Sequence, residues 1–425
     1  MLKFSAHPVS INYDIGLQEA IDLVEKWNGT LLYTSPDVDG TNNIVLAFNP
    51  LKTITEAQAL ESIDHLQNRH QFDFPWIFGY MGYDAKHLVE ENGIYNNLRD
   101  TDFPLYNFHV YQFVFIFNQQ WSLKNGYQIE LTDKRTGVLS IDDAFGFSKT
   151  GSESFSVSNL QSHPDQDGFM QGVKSIKQYI RAGDVYQVNL TRKITADFTG
   201  DPAAAAKSLL ESNRIEFGVF YKSEDRYLVS TSPERFFKTK NGKILSSPIK
   251  GTAGRNGDDE MVSNQLLNDT KNLRELAMIT DLLRNDISKI CRPGTVKVNA
   301  FPILKTLKNV FHLVADVEGK LTNSNFSAIM EALFPGGSIT GCPKIRACQI
   351  IEELEQKGRG PYTGSFGYIN GAGEMDFNIL IRTVFIQNQT LSFNVGGGIT
   401  LLSEPQDEYE ETLHKAQNIL KALGQ

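Results

Sequence analysis

The chain has 425 residues, a formal net charge of -9 and a pI near 5.5. Its length suggests roughly two or three domains, or one large sheet protein, and its acidity argues against a nucleic-acid-binding face while allowing a local pocket of opposite sign. The opening Met1-Leu2-Lys3-Phe4 lacks the apolar core of a signal peptide, no apolar run nears the about 18 residues of a membrane span, and Cys291, Cys342 and Cys348 show no metal spacing and cannot all pair, so a reducing cytoplasm is the expected setting.

In chain order, Leu17, Ala20, Ile21 and Val24 recur at helical spacing over 17–27. Residues 31–48 read as a hairpin turning at Asp37-Val38-Asp39-Gly40, and 75–84 and 105–117 as buried strands. The polar, Ser-rich stretch 146–165 reads as a linker between a first region, 1–145, and a second, 166–425, which can share one core. Phe169, Val173, Ile176 and Ile180 mark a helix over 166–182, and a turn and strand follow at 183–190. Strands run from Phe217 to Leu245, with turns at Ser223-Glu224-Asp225 and Lys240-Asn241-Gly242. A long helical segment spans 259–290, and another helix starts near Pro343. Strands at 363–370 and 376–387 flank Asn370-Gly371-Ala372-Gly373, a further strand leads into Gly396-Gly397-Gly398, and a helix from about Asp407 closes the chain. Strands outnumber helices without strict alternation, which predicts an α+β fold.

Several residues invite a chemical reading. The run Pro248-Ile249-Lys250-Gly251-Thr252 carries one lysine to a place where glycine bares the backbone and Thr252 adds a hydroxyl. Most lysines are merely exposed charge. Glu408 and Glu411 share a face of the last helix, and Glu275 begins a turn whose other face is apolar. Solvated helix faces are the plain alternative for all three. The triple glycine 396–398 is a strand bend or a place where bare N–H groups bind a carboxylate. Arg382 lies among apolar neighbours in NILIRT, so it must point outward or be paired, and its fork fits a carboxylate.

The blocks SPERFF (232–237), PIKGT (248–252), ELAMITDLLRND (275–286), FHLVADVEG (311–319), LFPGGSITGCPKIRA (333–347), GPYTGSFGYINGAGEMDFNILIRT (360–383) and VGGGITLLSEPQDEYEETLHKA (395–416) stand in one order. In them the chain resembles the chorismate-utilising enzymes, nearest to those that aminate the ring at C4. The resemblance implies an αββα sandwich of two large, mostly antiparallel sheets with helices outside. It also implies Mg²⁺ on Glu275 and Glu411, with Glu408 near the ion's water shell. Arg382 and Tyr362 would hold the pyruvyl carboxylate of chorismate. Gly251, Thr252 and the Gly396, Gly397 and Gly398 loop would hold the rest, with Ser338 and Lys415 lining the site. A strand at Leu31–Ser35 would lie near an amino-acid pocket, or be ordinary core.

Two positions bear on the reaction the resemblance implies. Relatives that add water carry a lysine base where this chain has Gln187, and relatives that make anthranilate carry alanine in place of Lys250. The implied chemistry is attack by Lys250 on ring C2, then displacement by ammonia at C4. Glu234 would be the acid for the leaving hydroxyl, and a partner role beside Arg235 is its alternative. His312 lies near the ring or is a core histidine. Ammonia is expected from a separate glutamine amidotransferase subunit, and the product would be a precursor of 4-aminobenzoate and folate. The alternatives are an anthranilate-forming enzyme and a non-catalytic chorismate- or amino-acid-binding regulatory subunit. A neutral Lys250, against a free pKa of about 10.4, and a protonated Glu234 demand opposite shifts, so the two are expected not to pair. Family members often place a proline after PIKGT, where this chain has Ala253-Gly254-Arg255.

Overall fold

The computed structural model describes residues 3–34, 43–55, 59–70, 72–90, 98–100, 102–132, 139–146, 154–212, 216–255, 257–306 and 310–425. The expected turn at 37–40 lies outside them.

The strand Tyr106–Phe117 is buried along almost its whole length. One edge of it pairs with Ile44–Ile54, and the other with Ile77–Met81 and Leu123–Leu131. Two antiparallel sheets grow from this seam. The first continues through Thr30–Tyr33, Phe217–Ser223, Arg226–Ser232, Thr383–Gln387, Thr390–Ile399, Gln187–Gly200 and Phe155–His163. The second runs through Ser365–Ile369, Met375–Asn378, Arg235–Lys240, Lys243–Ser246 and Val317–Lys320.

Alternation of side chains decides how the layers stack. Leu32, Val45 and Val219 of the first sheet face the second, in one core with Phe78, Phe366 and Phe377. Their neighbours Leu31, Leu46 and Phe220 face outward, into a core with the helices Leu17–Trp27, Pro202–Ser212 and Pro405–Ala422. The helices Thr270–Ser288 and Phe326–Leu333 pack Ile279, Leu283, Ile287, Ile329 and Met330 into the core of the second sheet. The result is the α+β fold expected, helix–sheet–sheet–helix. A smaller sheet, Ile249–Gly254 with Val310–Val314 and Ile303–Thr306, stands apart. Among the described residues no helix is long and apolar enough to cross a membrane.

Three local expectations need correction. Residues 155–163, read as linker, form a strand from Phe155↔Gly200 to His163↔Lys193. An edge strand needs few apolar anchors, here Phe155 and Val157, and its remaining positions stay polar. Strands before and after this stretch also pair directly, as in Leu31↔Phe220 and Gly367↔Gly79. The segment 259–290 is two helices, Asp259–Leu267 and Thr270–Ser288, because the Asp269 side chain accepts from Asn272 N–H and caps a new start. The strand expected over 376–387 breaks at 379–382, where Arg382 has φ +50°.

Phe377 is fully buried, stacked on Phe237 at 5.3 Å and also 5.3 Å from Phe326. Phe377→Ala is expected to cost about 3–5 kcal/mol. Urea unfolding should show this as a lower midpoint with an unchanged slope.

Candidate functional site

The ladder between 226–240 and 375–387 belongs to both sheets. Ser230↔Thr383 lies in the first and Arg235↔Asn378 in the second. Where the chain changes sheets, regular pairing stops at Pro233-Glu234 on one side and at 379–382 on the other. Proline suits that gap because it has no N–H to offer a ladder. The two irregular segments hold each other: Ile379 N–H donates to Glu234 O at 3.0 Å, and Thr231 N–H donates to Arg382 O at 3.0 Å. Those bonds fix the left-handed backbone of Arg382, a conformation costly for a bulky residue. Both Glu234 and Arg382 thereby reach one cavity of about 550 Å³.

The small sheet brings the lysine to the same cavity. Lys250 faces Leu313 and Thr252 faces His312, so Gly251 is an extra residue, a β-bulge with φ +79°. A Cβ on Gly251 would lie 3.0 Å from the Asn272 side chain. The bulge re-aims the strand, and Lys250, Gly251, Thr252 and His312 all line the cavity. Thr252 Oγ1 lies 2.8 Å from His312 Nδ1. Burial lowers the His312 pKa to about 4, which keeps the ring neutral.

Glu234 is buried, and burial raises its pKa. The Ser338 hydroxyl and the charges of Lys250, Arg382 and Lys415 oppose that rise without cancelling it. Lys250 and Glu234 form no ion pair, among the described residues, although the Lys250 charge acts on the Glu234 carboxyl. Arg382 opens onto the cavity within a shell of protein; that burial lowers its pKa, and Glu234 opposes the shift. Tyr362, held nearby, is buried, and its phenol is pushed well up by burial.

The opposite wall is acidic. Burial raises Glu275, with Glu411 adding to the rise, and burial likewise raises Glu408. Burial pushes Glu411 up too, but Lys415, Lys271 and Lys250 together outweigh it and Glu411 ends below its usual value. Lys415 Nζ lies 2.6 Å from Glu411 Oε1 and donates to Gly396 O at 2.8 Å. A Cβ on Gly397 would meet Glu408 Oε2 at 3.4 Å and Glu411 Oε1 at 3.5 Å, so both acids close over bare backbone. Gly398 is pressed against Gln187 in the same way, its Cβ position only 2.1 Å from Gln187 Nε2, and Gln187 Oε1 has no hydrogen-bond partner among the described residues. No group of three His, Cys, Asp or Glu side chains stands close enough to hold a metal by itself, among the described residues.

The cavity thus has a cationic and hydroxyl-rich side facing carboxylates across glycine backbone, the lining expected for an anionic ligand. The family described as chorismate binding enzyme matches residues 25–421. The chain belongs to that family. It is 37% identical over 279 residues to the anthranilate synthase component 1 of Synechocystis sp., covering 62% of this chain and 55% of that protein. It is 33% identical over 373 residues to the aminodeoxychorismate synthase component 1 of Bacillus subtilis, covering 84% and 79%. Among solved structures, anthranilate synthase component I from Streptococcus pneumoniae superposes with a TM-score of 0.76 at 27% identity, over 89% of this chain and 92% of that one. The chain therefore spans little more than half the length of the Synechocystis relative.

Within this family member, the structure gathers Glu234, Lys250, Gly251, Thr252, Glu275, His312, Ser338, Tyr362, Arg382, Gly396, Gly397, Gly398, Glu411 and Lys415 around the cavity. Glu408 stands behind the wall, 4% exposed, with Lys271 Nζ 3.8 Å away. Sequence reasoning missed Lys271, Asn272, His414 and Asn418, which also line it. Their spacing was the available signal: four and three residues before Glu275, and three and seven after Glu411, each on the same helix face. It also missed Arg359, wholly buried behind the site. Arg359 pairs with Glu355 at 2.7 Å and donates to Asn189 O at 2.8 Å and Ile339 O at 3.1 Å, tying two cavity walls together.

The raised Glu234 has a thermodynamic consequence. A carboxyl whose folded pKa lies above its unfolded value, 4.5, contributes stability fully below pH 4.5 and loses it as pH climbs through the folded value. Glu234→Gln should therefore melt higher than the wild type at pH 8, with the gain shrinking toward pH 4.5. Thermal melts across that range check the sign. Separately, Arg359→Met strands Glu355 and should destabilise by about 3–5 kcal/mol in denaturant titrations.

Proposed function

We propose that this chain aminates chorismate at C4, giving 4-amino-4-deoxychorismate, with ammonia delivered by a glutamine amidotransferase subunit. The observation that carries this reading is Lys250 lining the cavity with Glu234 and Glu275, its charge acting on both and paired with neither among the described residues. Both curated relatives described above are component 1 proteins, a name that implies a second component.

In the mechanism, Arg382 and Tyr362 bind the pyruvyl carboxylate, and Thr252 and the Gly396–Gly398 backbone orient the ring. The Lys250 amine forms a bond to ring C2 as the 4-hydroxyl leaves. Glu234, raised by burial, gives its proton to that hydroxyl, which departs as water. Ammonia then bonds to C4, the C2–N bond breaks, and the lysine amine is released. The proton shed by the incoming nitrogen returns to Glu234, so the cycle closes. The pyruvyl ether survives throughout. His312, neutral and bonded to Thr252, steadies the ring edge without adding charge.

Mg²⁺ suits the acid wall. Glu275 and Glu408 are held up by burial, Glu411 adds to both, and among the described residues no three side chains make an all-protein cage, which matches an ion that keeps several waters. Glu275 and Glu411 would hold it, with Glu408 behind its water shell. Bound there, it would neutralise the ring carboxylate. A cytoplasmic setting accords with three unpaired cysteines.

Chorismate, Mg²⁺ and ammonium, followed by mass spectrometry, test the reading. Aminodeoxychorismate without pyruvate is expected, Lys250→Ala should abolish it, and Glu234→Gln should lower its rate about 10²-fold or more. Anthranilate with pyruvate would instead support the activity named for the Synechocystis relative. Binding of chorismate without any product would point to a regulatory subunit.

A further inference from the structure

Resting on the metal site just proposed, a second property follows from how the acid wall is neutralised. Glu411 Oε1 is 2.6 Å from Lys415 Nζ, one turn along the same helix. Above the bare Cα of Gly397, one point lies 3.4 Å from Glu408 Oε2, 3.5 Å from Glu411 Oε1 and 3.7 Å from Lys415 Nζ. Two carboxylates and an ammonium therefore converge on one small volume. Lys271 Nζ, 3.8 Å from Glu408 Oε1, is a second and looser counter-charge.

We propose that Lys415 is a resident competitor for the divalent cation: its ammonium neutralises the acids in the free protein and must leave when the ion arrives. The physical reason is like-charge exclusion. An ion coordinated to a Glu411 oxygen would sit roughly 2.0–2.1 Å from it. An ammonium on the same oxygen would then be in near contact with a double positive charge. Lys415 can yield, because its side chain is 41% exposed and only its bonds to Glu411 and Gly396 O must be given up, among the described residues. It still lines the cavity after leaving, where its charge meets an incoming carboxylate. One displacement thus couples metal entry to recruitment of the anionic ligand. Lys271, half exposed and farther from its acid, plays the same part more weakly.

The test is direct binding of Mn²⁺, without substrate, followed by electron paramagnetic resonance or calorimetry. Lys415→Met should bind Mn²⁺ about fivefold more tightly than the wild type. Lys271→Met should shift affinity the same way by less, and serves alone if circular dichroism shows Lys415→Met misfolded. Lys415→Arg should restore the wild-type value. Unchanged or weaker Mn²⁺ binding in the folded Met variants, with a wild type that binds, overturns the competitor and leaves the metal site standing. A wild type that binds no Mn²⁺ overturns both.

Discussion

The structure depends on one constraint: a single antiparallel ladder must leave one sheet and enter the other without losing its partners. Regular pairing cannot survive the change of plane, so the backbone groups at the crossing need other acceptors. They find each other. Ile379 bonds to Glu234 and Thr231 bonds to Arg382, and the break becomes a rigid joint. A rigid joint with irregular backbone is where side chains can point into the space between layers. The acid and the arginine that define one end of the cavity are products of that topology.

The rest of the cavity is built by the same logic of close approach. Glycine at 251, 397 and 398 leaves no Cβ where Asn272, the paired acids and Gln187 come nearest. A Cβ at 251 or 398 would push a wall outward, whereas one at 397 would rest against the acids at 3.4 and 3.5 Å. Behind the walls two buried arginine and lysine charges are paired. Arg359 and Glu355 clamp the strand at Asn189 to the turn at Ile339, and Lys86 pairs with Glu352 at 2.8 Å. Such buried pairs add little net stability, but losing one partner is costly, so they fix position more than they strengthen. The cavity faces, in contrast, keep charges that are only partly matched.

Elements with strong periodicity were legible in the sequence. The helices over 17–27 and 166–182 and the strand over 105–117 stand within a residue of their expected bounds. What failed was local and polar. The cap at Asp269 hid inside a helical pattern, and the strand 155–163 hid inside a serine-rich one, because composition does not show which backbone groups find a partner. The break at 379–382 was invisible, since Ile379, Leu380 and Ile381 read as uninterrupted strand. For the cavity, resemblance outran pattern. Nothing in the spacing of Glu234, Lys250 and Arg382 brings them together; only the crossing of sheets and the bulge at Gly251 do so. Arg359 and Lys271 carry no sequence pattern that sets them apart from other charged residues.

The electrostatics of the cavity make sense only as a state awaiting a ligand. Burial pushes Glu234, Glu275 and Glu408 up and Arg382 down, so on both sides the charged forms are left short of solvation. Left to themselves, an acid and a guanidinium in such a place would pair. The joint at the crossing holds Glu234 and Arg382 on opposed segments, and they do not pair, among the described residues. Each keeps an unspent affinity, the arginine for a carboxylate and the acid for a proton. In the reading proposed above, an anion carrying two carboxylates and a divalent cation would meet the arginine and the acid wall at once. Glu234 shares that cavity with Lys250, which pairs with no carboxylate among the described residues.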